Sequence, residues 1–174
     1  SRAAALGVPA RTDAAETLLK AGRPAHALAA WADALLKASV AAEEALADRG
    51  FPQGEYEALI AWIDEPRRLV AHLTGSPADM PAERAAAALS LDHVEMLLWR
   101  RGSVAYAAAA TWVREEGGEG EEDGAPGAEH RRAARAMAAR PAAAAAAETG
   151  FRELSRMLAL ARARGKEAAA EAAK

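Results

Sequence analysis

The side chains in this chain that are suited to proton transfer or metal binding are few and scattered. His26, His72, His93 and His130 lie far apart, and no Glu-x-x-His occurs. The carboxylate–histidine pattern of di-metal helical bundles is therefore missing, and so is zinc-site spacing. Cysteine is absent, which removes thiolate ligands, thiol nucleophiles and disulfides together. Asp92-His93-x-Glu95 is a local acidic–histidine cluster, but successive positions on a helix point around it rather than converge. His93 accordingly reads as a core or boundary histidine with a hydrogen-bond partner. Phosphate-cradling glycine loops follow a strand, and no segment here reads as one; Gly117–Gly120 also sits among acids that would repel phosphate. What remains is the pair in Arg67-Arg-Leu-Val-Ala-His72, an R-x4-H spacing. No metal and no cofactor are expected.

The elements that position these residues are helical throughout. The organising stretch is 12–50, a helical hairpin. Asp13 and Glu16 give a D-x-x-E that can satisfy the free N–H groups of a first turn. Gly22 ends that helix, and Pro24 suits the first turn of the next, where its missing N–H is no loss. Leu28, Trp31, Leu35, Ala38, Ala42 and Leu46 then form one apolar stripe at spacings of three and four, and Gly50 with Pro52 closes it. A third helix is expected from Glu55 to about Leu73, with a kink or restart at Pro66 and Asp64 as the new cap. A fourth, from about Met80 to Arg101, is apolar around most of its second half and so should be central. Gly102 and Ser103 are expected to end it before a fifth helix, Val104 to about Glu115. Trp31, Trp62, Trp99 and Trp112 fall one to each of four helices and read as core anchors.

Two family resemblances attach to these residues. Gly22, Ala27, Leu28, Trp31, Ala34 and Leu35 follow the order of half a tetratricopeptide unit, with Ser39 where that family's closing proline would stand. Related spacing returns at Leu97–Trp112. That resemblance implies a peptide-binding module with a concave groove. Separately, Arg67 and His72, following a helical hairpin, resemble the R-x4-H of the HEPN superfamily, all-α domains many of which cleave RNA. The resemblance implies Arg67 holding a phosphate and His72 doing acid–base work at the scissile bond. Arg68 stands where that family often has a polar Asn, Asp or His.

Composition narrows the classes. At 174 residues the chain is long enough for one domain with an extension. A net charge of −3 and a pI near 5.9 argue against a wholly basic nucleic-acid binder. No apolar run approaches the roughly 18 residues needed to span a bilayer, and the start carries no signal-peptide pattern. Ser1 in place of Met reads as a trimmed or processed end. The expected compartment is soluble and intracellular, including an organelle interior after N-terminal processing. Alanine is about 30% of the chain, so helix propensity is high while bulky apolar side chains are scarce.

Charge is segregated along the chain: about −2 over residues 1–114, about −6 over 115–128 and about +5 over 129–174. Residues 115–127 hold six acids and five glycines and read as a flexible linker. Beyond them, a helix at about 128–149 with a kink or restart at Pro141 has Met137 as its one sizeable apolar side chain. A last helix carries Phe151, Leu154, Met157, Leu158 and Ala161 as its apolar stripe and is expected to break at Gly165. Arg131 with Arg135, and Arg152 with Arg156, share helix faces at i, i+4.

The expected fold is all-α: a helical-hairpin bundle of about five helices plus a C-terminal helical arm. Its divisions are an N-terminal strap (1–11), a helical core (12–116), an acidic linker (117–127) and an Ala/Arg-rich arm (128–174). The expected function is a non-catalytic structural or protein–protein interaction subunit of a larger assembly. It would dock on other protein subunits through Arg131, Arg135, Phe151, Arg152, Leu154, Arg156 and Leu158. Nucleic acid is a candidate partner only through the basic arm. The two resemblances supply the alternatives: a ribonuclease using Arg67 and His72, and a peptide-binding module.

Overall fold

The structure is a computed structural model whose described residues are 24–74, 89–117 and 128–172. The strap, the first helix of the 12–50 hairpin, the expected helix start at Met80 and residues 118–127 of the acidic linker lie outside them. The described chain is all-α, six helices without a strand: α1 (Pro24–Ala47), α2 (Gln53–Ile63), α3 (Glu65–Thr74), α4 (Leu91–Gly117), α5 (Ala128–Ala139) and α6 (Pro141–Ala172).

Proline and the left-handed turn set most of the helix ends. α1 starts at Pro24, as a ring lacking an N–H allows. It stops where Gly50 (φ 69°) and Phe51 (φ 52°) both take positive φ. Phe51 holds that disfavoured conformation because its ring is buried and its carbonyl accepts a 2.9 Å hydrogen bond from Trp112 Nε1. Arg49 then bridges the turn, its fork bonding both oxygens of Glu55 at 2.9 and 2.7 Å. Asp64 separates α2 from α3, and Pro66 falls in the first turn of α3, where the ring is tolerated. α5 and α6 part at Arg140, immediately before Pro141.

Glycine behaves differently from proline. The expected breaks at Gly102–Ser103 and at Gly165 are absent: α4 runs unbroken through the first pair and α6 through the second. The stretch Leu97–Trp112 is thus one continuous helix without a turn. α4 begins at Leu91, where Ser90 Oγ caps it by accepting the His93 N–H at 3.3 Å.

α4 is the axis of the fold, packed by α1 and α2 on one side and by α5 and α6 on the other. Leu97, Leu98, Val94, Val104 and Trp112 are all but inaccessible, and Leu28, Leu35, Leu46, Leu59 and Ile63 close around them. Arg100 ties α4 to α1 from inside: its Nε donates to Ser39 Oγ at 2.7 Å, another nitrogen donates to the Ser39 carbonyl at 2.6 Å, and Glu43 completes the ion pair.

The C-terminal helices do not reach away from the body. α6 lies antiparallel along α4 in the most extensive contact of the structure, and α5 also packs on α4. Ala136, Ala143 and Ala146 are buried there in place of bulky side chains. Two glycines make that approach possible. A Cβ on Gly102 would lie 2.7 Å from Leu154 Cγ, and one on Gly150 would lie 3.2 Å from the Gly102 carbonyl oxygen. Small residues let the backbones close up, so α4 supplies the bulk for both helices. The separate arm expected for 128–174 is therefore corrected over its described part to an integral layer of the bundle.

Candidate functional site

Two features stand out on the α4–α6 pair: a buried charge cluster between the helices and an apolar face above them. The cluster centres on Glu153, whose side chain is completely buried. Its Oε1 accepts a 2.8 Å hydrogen bond from Arg101 and lies 3.5 Å from Arg152 Nε and 3.6 Å from Arg156. Its Oε2 faces Arg67 at 3.4 Å. Asp64, at the α2–α3 junction, stands 3.5 Å from Arg67 and 3.6 Å from Arg101. Asp64 Oδ1 and Arg101 Nε are buried without a hydrogen-bond partner. A carboxylate removed from water needs such compensation, and here four guanidiniums from three helices provide it.

The cluster is built to hold helices together. It contains no nucleophile and no histidine. Arg67, 7% exposed, has its Nη1 engaged by both Asp64 and Glu153. The side chain of His72 lies outside the described residues. Two further ion pairs set the same register above and below. Arg164 on α6 bonds Asp92 at 2.6 Å and Glu95 at 3.3 Å. Near the other end Arg140 bonds Glu115 at 3.0 Å and stacks 4.6 Å from the Trp112 ring centroid.

Pinned in this way, α4 and α6 present an apolar face to solvent. Met96, Trp99 and Tyr106 on α4 are 48%, 45% and 67% exposed, and Phe151 and Leu158 on α6 are 76% and 50% exposed. Of the six large hydrophobic side chains left exposed among the described residues, only Val40 lies elsewhere. At one end the face opens into a cleft of about 550 Å³ lined by Asp92, Glu95, Met96, Trp99 and Met157. The cleft has an apolar floor and an acidic rim, and Glu95 Oε1 is buried there without a hydrogen-bond partner.

The seven residues expected to meet a partner divide between these features. Phe151 and Leu158 are on the apolar face; Leu154, half-buried, packs on Gly102 instead. Arg152 and Arg156, partly exposed, converge with Arg67 on Glu153. Arg131 and Arg135 stand exposed on α5, apart from the cluster. The expected stripe on the last helix is rotated: the buried line is Ala143, Ala146, Gly150, Glu153 and Leu160. Trp99, expected to be a core anchor, is on the surface, unlike Trp31, Trp62 and Trp112. Sequence reasoning missed Met96, Trp99 and Tyr106 as one face, although their spacings of three and seven are the signal for it.

Among the described residues no group of histidines and carboxylates is placed to hold a metal ion, and no helix is long and apolar enough to cross a membrane. No protein family, curated protein or solved structure matches the chain.

Proposed function

We propose that this chain is a non-catalytic protein–protein interaction subunit that docks through the α4–α6 face. The observation that carries the reading is the exposure of Trp99 and Phe151 beside an open apolar cleft. Folded chains keep contiguous apolar surface small unless something covers it, and aromatic and methionine side chains are the usual anchors of interfaces. The Glu153 cluster supports the same reading by a different route. It fixes α6 against α4, so the five apolar side chains are presented on a rigid frame, which lowers the entropic cost of docking.

The test is a native pull-down of the tagged full chain, with bound protein quantified by mass spectrometry. Trp99→Asp and Phe151→Glu should each strip the proteins the parent chain retains, whereas Val40→Asp, also exposed but on α1, should strip none. Retention unchanged in both face variants would reject the proposal.

A further inference from the structure

We infer that the occupant of the α4–α6 face is a second copy of this chain, related by a two-fold axis parallel to the two helices; this rests on the docking face proposed above. The register between the helices is constant. Asp92 meets Arg164, Arg101 meets Glu153, Gly102 meets Leu154, and Tyr106 meets Gly150. A two-fold rotation about an axis along the helices preserves height and exchanges the pair across the interface. The α6 of one copy then lies over the α4 of the other at the register already present within each chain.

The side chains that this operation brings face to face are complementary. At about 100° per residue, Met96, Trp99 and Tyr106 share an arc of roughly 80° on α4, and Phe151, Leu158 and Arg162 share roughly 40° on α6. Matched by height, Phe151 of one copy stands opposite Tyr106 of the other, and Leu158 opposite Trp99. Arg162 falls between Asp92 and Glu95. Among the described residues those two carboxylates face only Arg164, leaving one negative charge at the acidic rim of the cleft. Arg162 is exposed and makes no ion pair among the described residues. A copy's Arg162 supplies the missing cation, and by symmetry the exchange occurs twice. The resulting layer is an up–down four-helix arrangement, a self-complementary isologous contact.

The surface is large enough. α4 spans 27 residues, about 40 Å at 1.5 Å per residue, and two packed helices are about 20 Å wide, giving a footprint on the order of 800 Å² per copy. That is about the share each partner contributes to a stable interface.

Sedimentation velocity on the full chain, from about 1 to about 100 µM, tests the inference. The parent should sediment at twice 18.1 kDa. Trp99→Asp should be monomeric throughout. Arg162→Glu, an exposed change that should leave helicity in place and also the urea midpoint at concentrations where the parent is monomeric, should weaken the dimer at least about tenfold. Asp92→Lys should weaken it likewise, and Asp92→Lys combined with Arg162→Glu should restore most of the loss. A parent that stays at 18.1 kDa at the highest concentration overturns the inference, as does a dimer indifferent to both Trp99→Asp and Arg162→Glu. A monomeric parent that still loses bound protein in the pull-down upon Trp99→Asp would overturn the second copy alone and leave the docking face standing.

Discussion

Glu153 accepts a 2.8 Å hydrogen bond from Arg101 with its side chain wholly out of solvent. The pair joins α6 to α4 at mid-length, and Arg67 and Asp64 extend it to the α2–α3 junction. Removing the carboxylate leaves Arg67 and Arg101 with Asp64 as their one remaining counter-charge in a largely buried site, while Arg152 and Arg156 can turn outward. Glu153→Ala should therefore cost about 3 kcal/mol or more in urea unfolding, and Glu153→Gln clearly less. A change in midpoint no larger than that of a surface substitution would contradict the clamp.

Glycine substitutions separate helix propensity from packing. Gly165 has nothing within 4 Å of a built Cβ, so Gly165→Ala should stabilise by about 0.5–1 kcal/mol through propensity alone. Gly102→Ala carries the same propensity gain, but its methyl group would press on Leu154 and on the backbone nitrogen of that residue, 3.3 Å away. The expected net change is a loss of about 1–2 kcal/mol in thermal or urea melts. Shortening Leu154 to alanine in that background should recover part of it.

How far the sequence disclosed this fold follows from what each residue type constrains. Pro24, Pro66 and Pro141 marked helix boundaries correctly because a missing N–H and a fixed φ act locally, whatever packs nearby. Gly102, Gly150 and Gly165 did not mark boundaries. Flanking alanines sustain the helix, and the first two glycines serve close approach between helices, a tertiary fact that no local signal carries. The same blindness affected the C-terminal third. Counting bulky side chains made residues 128–149 look unable to bury themselves, yet alanine and glycine let them pack against the bulk of α4. Glu153 was legible after all: it sits in phase with Ala146, Gly150, Met157 and Leu160, a charge on an otherwise core-facing line. Arg67, by contrast, pairs with it across 86 positions of sequence, which spacing alone cannot show.

Alkaline pH reaches the core through Tyr56. Burial pushes its phenol up to about 12, with Arg101 opposing and Glu57 adding to the rise. A group whose folded pKa lies above its unfolded value near 10 holds its stabilising contribution below pH 10 and loses it as pH rises toward 12. In a Tyr106→Phe background, where Tyr56 is the sole tyrosine, ultraviolet titration should give a midpoint near 12, and urea stability should fall progressively above pH 10. A midpoint near 10 with a flat stability profile would show the ring to be solvated.

Trp112 closes the α1–α2 turn from the far side of the core. Its Nε1 donates to the carbonyls of Gly50 and Phe51 at 3.0 and 2.9 Å, and its ring meets Tyr56 edge-on at 5.1 Å between centroids. Trp112→Phe keeps most of the bulk but leaves two carbonyls unbonded beside a turn in positive φ. A loss of about 2–3 kcal/mol is expected, with earlier hydrogen exchange at residues 48–51 than within α1.

The claim at the centre of this account is that the α4–α6 face binds protein rather than merely tolerating exposed aromatics. It is tested most directly by measuring association and stability together on Trp99→Asp, with Val40→Asp as the matched control. Trp99→Asp should abolish association while its urea stability, measured at a concentration where the parent is also monomeric, stays within about 1 kcal/mol of the parent, as for a half-exposed site, and Val40→Asp should alter neither. Association undiminished in Trp99→Asp, with the fold intact, would contradict it.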